Sequence, residues 1–514
     1  MADSLAGQPG PQTQAQGQKQ RHIVIVGKAA SIYDPPKLQR PLTFVSLGGG
    51  VIGSTTAYFL TRHPRYDPAL HKITLLEAST IAAGASGKAG GLLGLWAYPE
   101  ELVPLSYRLH RELADEHGGA KRWGYRQVGC GHIQAEVSQA DLDRRAAEVE
   151  AAKAAKAAQT EGKSEEGASV DKPPIADAND AAMTETSAST EKGAQKNWEK
   201  LPKQDEHAAS LLSRSVPPPD LDWIDLAVVQ SYDQMGVPGA YDTAQVHPFH
   251  FTTAMAELAK ERGVDIRLNA QVTKIESLAG AAEASTSTDT DAQALHTVEY
   301  LDRSTNTTQK IRGVTDVVVS AGPWTGVVLP RSKIEGLRAH SVVWEADVSA
   351  YAVFTDVGLP SSYVPEHRLQ AGQKRRRHRG RVDPEIYARP FGEVYACGEP
   401  DSSVPLPATA DRVEVDALQC ADLVAYCSTF SLALAKAPVK ATQACYLPRH
   451  IRFGDERAPL IGQTHTPGLW VASGHTCWGI QNSPATGCLM AEMLLDGKAA
   501  SADVSKFDPR KFKV

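Results

Sequence analysis

A membrane-spanning segment is the first thing this sequence lacks. No uninterrupted apolar run in its 514 residues approaches the roughly 18 that a membrane helix requires, which excludes an integral membrane segment. A surplus of charge of either sign is also missing. The formal net charge is −6 and the pI is near 6.3, so there is neither the basic footprint expected of a nucleic-acid binder nor a pull toward a lipid surface. The expected partner is a small molecule. Cysteine is scarce, with seven residues, odd in number and spread without C-x-x-C spacing. That pattern indicates neither a disulfide framework nor a zinc site, and no metal is expected. Residues 1–20 are rich in Gln, Gly and Pro and hold no apolar leader core. These absences lead to the expectation of a cytoplasmic protein in a reducing compartment.

What is present centres on Val45 to Leu60, which reads as strand, glycine turn and helix in immediate succession. Gly48, Gly50 and Gly53 fit G-x-G-x-x-G: the first allows the tight turn, the second lets a pyrophosphate approach the backbone, and the third lets helix pack on strand. The helix start offers free N–H groups and a positive dipole end to phosphates. Alone, the pattern also fits a merely structural glycine turn. Its position strengthens it. His71 to Glu77 is a short apolar run ending in a carboxylate, as expected of a second parallel strand whose last residue accepts hydrogen bonds from a ribose. Glu77 follows Gly53 at close to the roughly 20-residue spacing of the fingerprint. A Glu rather than an Arg there favours an unphosphorylated ribose, as in FAD or NAD.

Two stretches compete for the strand that feeds Gly48. His22 to Gly27 is a better buried strand than Thr43 to Leu47, and fusing Gly27 to Gly48 gives a cleaner fingerprint. Residues 28–47 are therefore read as an insertion, either genuine or an intron retained in the coding sequence; otherwise the Thr43 strand replaces the His22 strand. After Glu77, the small residues from Ser79 to Gly94 let backbone approach a ligand. Leu102 to His117 has helical spacing, and Tyr125 to Glu136 reads as a strand. Residues 138–215 collapse into Ala, Glu, Lys, Ser, Thr and Asp, too polar to offset the entropy of ordering. They are expected to be disordered, apart from a solvated helix over 141–158. Phe249 to Arg262 reads as an amphipathic helix stopped by Gly263, followed by strands at 264–268 and 270–275. Thr315 to Gly322 is a buried parallel strand. Lys374 to Arg379 is read as a solvated basic loop. Leu469 to Gly487 repeats the strand and glycine turn, with a helix from Ala485.

Four blocks in this order, Gly48 to Gly53 with Glu77, Gly84 to Gly87, Val317 to Trp324 and Trp470 to Gly487, resemble the FAD-dependent D-amino-acid oxidase superfamily, which includes glycine oxidase and sarcosine oxidase. Gly87 to Gly91 paired with Gly474 to Gly479 is similar to a fungal branch of oxidoreductases, one yeast member of which is linked to late-endosome-to-Golgi traffic. The resemblance implies an α/β protein: a discontinuous Rossmann-like FAD-binding lobe (21–125, 244–335, 441–514) and a second lobe on a mostly antiparallel sheet (126–137, 216–243, 336–440, with a basic loop over 366–382). It implies that Gly48, Gly50, Ile52 and Gly53 hold the pyrophosphate and Glu77 and Ala78 the adenosine ribose. Gly84, Ala85 and Ser86 would lie near the phosphates or flavin. Val272 would pair with the adenine through its backbone. Ala321, Gly322 and Trp324 would line the dinucleotide, and Gly474, Gly479, Ile480 and Gln481 would approach the isoalloxazine.

The implied chemistry is oxidation of a C–N bond in a small amine or amino acid, with oxygen as acceptor. In amino-acid-oxidising relatives an Arg and a Tyr clamp the substrate carboxylate; Arg389 with Tyr387 are the candidates, against a surface Arg near a strand end. His475 either stabilises negative charge at flavin N1 or is only a turn residue. Cys445 falls roughly where the sarcosine oxidase branch attaches FAD covalently, although a small buried Cys is the commoner case. Two alternatives stay open: a flavoprotein with vestigial catalysis that serves trafficking partners at late endosomes, and a NAD-dependent dehydrogenase, which the C-terminal block disfavours.

Overall fold

The strand leading into the glycine turn is Leu42–Leu47, paired in parallel with His71–Leu76 on one side and Asp316–Val319 on the other. In this computed structural model, which describes residues 42–161, 212–236, 242–278 and 295–514, the rival candidate at His22 lies outside the described residues. The insertion drawn over 28–47 is thus corrected at its end: 42–47 is the central strand of the fold. A central parallel strand is covered on both faces, so it must be apolar almost throughout. Phe44, Val45 and Leu47 are buried, and the one interior polar side chain past Thr43, Ser46, pairs its hydroxyl with that of Ser320 at 3.2 Å.

A six-stranded sheet forms around this strand, in the order Leu460–Gln463, Leu469–Ser473, Asp316–Val319, Leu42–Leu47, His71–Leu76, Asp265–Arg267. All its pairs are parallel except the first, which is antiparallel. Its strands end together at the glycine turn, the Ser320–Gly322 turn and the Ser473–His475 turn, which is where a doubly wound sheet binds ligands. The helix Val51–Arg62 packs on the C-terminal helix Gly479–Asp496 closely enough that a Cβ on Gly487 would sit 2.7 Å from the Thr55 carbonyl carbon.

The second lobe is a nine-stranded sheet with one parallel pair, Tyr351–Gly358 beside Gly129–Glu136, and otherwise antiparallel neighbours. It reaches further along the chain than the lobe boundary at 440 implied. The 14-residue strand Val439–Arg452 pairs continuously with Ile334–Glu345, and Asp455–Arg457 pairs on its outer edge. Other boundaries also move. The C-terminal helix begins at Gly479, six residues before Ala485, and residues 139–161 are helical while Leu212–Ser215 is an edge strand; the rest of the low-complexity stretch lies outside the described residues. That helix docks because Arg145, buried near its start, pairs with Asp225.

The basic loop is not simply solvated. Arg376 is buried and its guanidinium donates to the carbonyls of Leu359, Pro360, Tyr363, His378, Arg379 and Gly380. Arg368 is buried against Asp422. Five donors in a fixed fork suit a turn full of otherwise unmet carbonyls. Among the described residues no helix is long and apolar enough to cross a membrane, and no cluster of His, Cys, Asp and Glu could hold a metal ion.

Candidate active site

The glycine turn is built for a close backbone approach. Gly48 has φ +113°, a conformation that side chains rarely adopt, and a Cβ there would lie 2.6 Å from the Ser320 oxygen. A Cβ on Gly53 would lie 2.0 Å from the Gly48 oxygen. No side chain caps the helix that starts at Val51, although the Val51 N–H donates to Ser86 Oγ at 2.9 Å. Glu77 is fixed in place: one oxygen accepts from the Gly49 N–H at 2.8 Å, the other from the N–H and hydroxyl of Ser79.

These groups line a cavity of about 210 Å3. Of the residues the sequence nominated, Gly48, Gly50, Ile52, Glu77 and Ala78 lie on its wall, as do Gly84, Ala85 and Ser86. Val272, Ala321, Gly322, Trp324, Gly479 and Ile480 complete the set. Three nominated residues do not face it. Gly53 serves packing beneath the turn, and Gly474 is pressed against Ile334 and His450. Gln481 is fully buried, with its Oε1 accepting from the Gly94 N–H at 2.9 Å.

The uncapped start of the C-terminal helix also forms part of this wall. Pro484 within that helix has no N–H for the Ile480 carbonyl. The deficit is met twice, by Ser483 Oγ at 2.9 Å and by Nε2 of the buried His110 at 3.0 Å. Burial holds His110 down to about 4, so it donates as a neutral imidazole. His110→Ala should therefore cost roughly 1–3 kcal/mol, read as a lower denaturation midpoint; an unchanged midpoint would contradict this account.

His475 also proves neutral. Burial pushes its pKa down to about 3, and its Nε2 lies 3.0 Å from Thr486 Oγ1. That hydroxyl donates to the Asn482 carbonyl at 2.8 Å, so it accepts from the ring, and Nδ1 is left as an acceptor. The role of stabilising an anion at flavin N1 is corrected: a neutral ring with a bare Nδ1 offers neither charge nor proton, whereas the helix start at Gly479 offers a positive dipole end.

A second cavity of about 220 Å3 adjoins the first and shares Ala85, Ala89, Leu447, Thr476, Cys477 and Ile480 with it. Tyr387 and Tyr395 stack on its wall with ring centres 5.8 Å apart and planes 6° apart, and Phe354 meets Tyr387 edge-on. Arg389 is absent from this wall. It is buried behind it, over the Tyr395 ring at 4.6 Å, donating to Glu393 at 3.3 Å and to the Ala89 carbonyl. The clamp pairing Arg389 with Tyr387 is thus corrected: a guanidinium buried behind the wall and paired with Glu393 is not placed to take a substrate carboxylate. The arginine that does line the cavity is Arg449, 3.8 Å from Glu456. Sequence reasoning missed it, together with Glu385, whose carboxylate accepts from the Tyr387 hydroxyl at 2.5 Å. A signal existed, because Glu385 and Tyr387 are two apart on one strand and so share a face. Cys445 lies on this second wall, its thiol pushed up to about 11 by burial.

A family model described as FAD dependent oxidoreductase matches residues 47–493. The chain belongs to the DAO family of FAD dependent oxidoreductases. The Saccharomyces cerevisiae protein named "Putative oxidoreductase TDA3" is 34% identical over 91% of this chain and 94% of its own. Among solved structures, glycine oxidase from Geobacillus kaustophilus covers 90% of this chain and 97% of its own at TM-score 0.56 and 17% identity. Iminodiacetate oxidase from Chelativorans sp. BNC1 covers 91% and 99% at TM-score 0.56 and 14% identity. Those two likenesses bear on the fold. The cofactor of this DAO-family oxidoreductase is FAD, and a NAD-dependent dehydrogenase is set aside.

Proposed function

We propose that this DAO-family protein oxidises the C–N bond of a small amine or amino acid and passes the electrons to dioxygen. The observation that carries the reading is the adjacency of the two cavities: a dinucleotide cradle whose wall includes the start of the C-terminal helix, and an aromatic chamber sharing six wall residues with it. The names of glycine oxidase and iminodiacetate oxidase point the same way.

The residues fit FAD. The Gly48–Gly50 turn and the uncapped helix start would hold the pyrophosphate, Glu77 the ribose, and the Gly479–Ile480 backbone the polar edge of the ring. Bound there, FAD supplies the acceptor for two electrons leaving the substrate carbon. The chain's part is placement: Tyr387, Tyr395 and Phe354 wall the substrate, as does Trp478, which is backed by Trp96 with ring centres 5.6 Å apart. The C–N bond becomes C=N, and dioxygen takes up two electrons and two protons as hydrogen peroxide.

The test is direct. The yellow protein, mixed without oxygen with a panel of amines and amino acids, should lose its flavin colour with at least one and release peroxide when air is admitted. Flavin that no compound reduces would reject the oxidase and favour a flavin-binding protein of trafficking. We further expect the cofactor to be non-covalent, because a thiol held as high as that of Cys445 is a poor nucleophile. Acid precipitation should leave a colourless pellet; a yellow pellet would establish a covalent link.

A further inference from the structure

The charge of the second cavity narrows the substrate. Asp383, Glu385, Glu399 and Glu456 all lie on its wall, whereas Arg449 is the one guanidinium or ammonium there among the described residues. Arg449 and Glu456 face each other at 3.8 Å and offset one another. Glu385 accepts from the Tyr387 hydroxyl, whose proton burial retains by raising its pKa well above 10. Glu399 sits at the exposed rim, 3.2 Å from His378. Asp383, Gly398 and Glu399 also line a small adjoining cavity together with Arg381, His340 and His378.

The strand Glu385–Arg389 shows how the sequence arranges this. Residues 385, 387 and 389 fall on one face, about 7 Å apart per step. In order they carry an anion, a tyrosine and a cation. The cation, Arg389, is sealed away by Glu393 and Ala89, which removes the group best suited to a substrate carboxylate. The anion, Glu385, stays on the cavity wall beside the stacked tyrosines. At the junction with the cofactor cavity the wall is apolar or neutral: Ala85, Ala89, Leu447, Thr476, Cys477 and Ile480. A neutral amine can sit there while a charge is held outside it.

From this arrangement we infer that the substrate is a small dication without a carboxylate, of the diamine or polyamine class. One amine lies at the junction of the two cavities and a second, protonated amine lies against Glu385, with Asp383 and Glu399 beyond it. The inference rests on the oxidase reading for the reaction but not for the recognition. The step balances as before: the inner C–N bond becomes C=N, and dioxygen becomes hydrogen peroxide. The outer ammonium is unchanged.

The experiment titrates the flavin-loaded full chain, without oxygen, with 1,4-diaminobutane, with butylamine as its singly charged counterpart, and with glycine and L-proline as carboxylate-bearing amines. The flavin spectrum reports binding as a shift and reduction as bleaching. The diamine should half-saturate the spectral change at a concentration about tenfold lower than butylamine and lower still than either amino acid, the size expected of one partly buried ion pair. Glu385→Gln should erase the advantage over butylamine, and Glu399→Gln, at the exposed rim where folding is not at stake, should reduce it. A spectral shift by the diamine without bleaching would uphold the recognition and reject the oxidase. Bleaching by glycine or proline at lower concentration than by the diamine would uphold the oxidase and overturn the inference. No response to any of the four would overturn it as well.

Discussion

Gly53→Ala should purify as a protein with at least tenfold less bound flavin than the wild type. The expected cause is local. A Cβ at this position would lie 2.0 Å from the Gly48 oxygen and 3.0 Å from Ser320 Oγ. The nearer atom is backbone, so it can be relieved only by moving the turn. Gly48 has little freedom to move, because its φ of +113° and the Ser320 oxygen behind it already confine it. The turn must open, and the Gly48–Gly50 backbone leaves the place where the pyrophosphate would lie. Tenfold in affinity corresponds to about 1.4 kcal/mol, small beside the clash, so the estimate is a lower bound. Gly49→Ala is the control. Its Cβ meets Ile81 Cδ1 at 2.6 Å, the end of a side chain that can turn aside, and Glu77 Cβ and Cγ at 3.0 Å, with no backbone in the way, so it should lose less flavin than Gly53→Ala. The ratio of flavin to protein absorbance checks both variants. A Gly53→Ala protein with full flavin would show that the turn does not hold the cofactor. The wild type should also gain thermal stability from added flavin, and Gly53→Ala should not.

How far the sequence reveals this site depends on the range of the interactions involved. The cradle is local: strand, three glycines and helix lie within residues 42–62, and the carboxylate of Glu77 follows at the end of the next strand. Local patterns of this kind carry the geometry with them, which is why nearly every nominated cofactor residue lines the first cavity. The choice between His22 and Thr43 as first strand was not local. It depends on which segment reaches Asp316–Val319 and His71–Leu76, and Leu42–Leu47 does so with only a mild polar residue in its interior. The second cavity was the least legible. Its wall comes from strands hundreds of residues apart, and whether an arginine faces substrate or structure is decided by its partners. Nothing in Tyr-Ala-Arg-Pro shows that Glu393, His247 and Lys440 will gather behind Arg389. In the same way, Arg376 looked like one more charge in a basic run because the carbonyls that surround it come from the turn it organises. The period of two along a strand does place Glu385 with Tyr387, and it is the one signal that would have exposed the acidic wall.

Glu393 is the anion on which the buried Arg389, the buried His247 and the exposed Lys440 converge, and its replacement should be the most destabilising single change near the site. Its carboxylate accepts from Lys440 Nζ at 2.7 Å, from His247 Nε2 at 3.1 Å and from Arg389 at 3.3 Å. Burial by itself would raise its pKa. The hydrogen bonds from His247 and Lys440 and the charge of Arg389 outweigh that and bring it from 4.5 to about 2. Glu393→Gln keeps the shape but removes the charge, leaving the buried Arg389 guanidinium without an anion. Loss of one partner of a buried pair costs about 3–5 kcal/mol, and the depressed pKa independently implies about 3 kcal/mol at neutral pH. The sign of the pH dependence follows from the direction of the shift. A carboxyl whose folded pKa is lowered contributes fully above its unfolded pKa, near 4.5, and loses that contribution as pH falls toward about 2. Urea unfolding of wild type and Glu393→Gln should therefore show a gap of about 3 kcal/mol at pH 7 that shrinks steadily between pH 4.5 and pH 2. A gap that stays constant across that range would mean that Glu393 acts through packing and not through its charge. Because Arg389 also holds the Ala89 carbonyl, and Ala89 lies where the two cavities join, the same variant should lose flavin reduction by substrate before it unfolds. In that respect Arg389 positions the site although it does not touch what binds there.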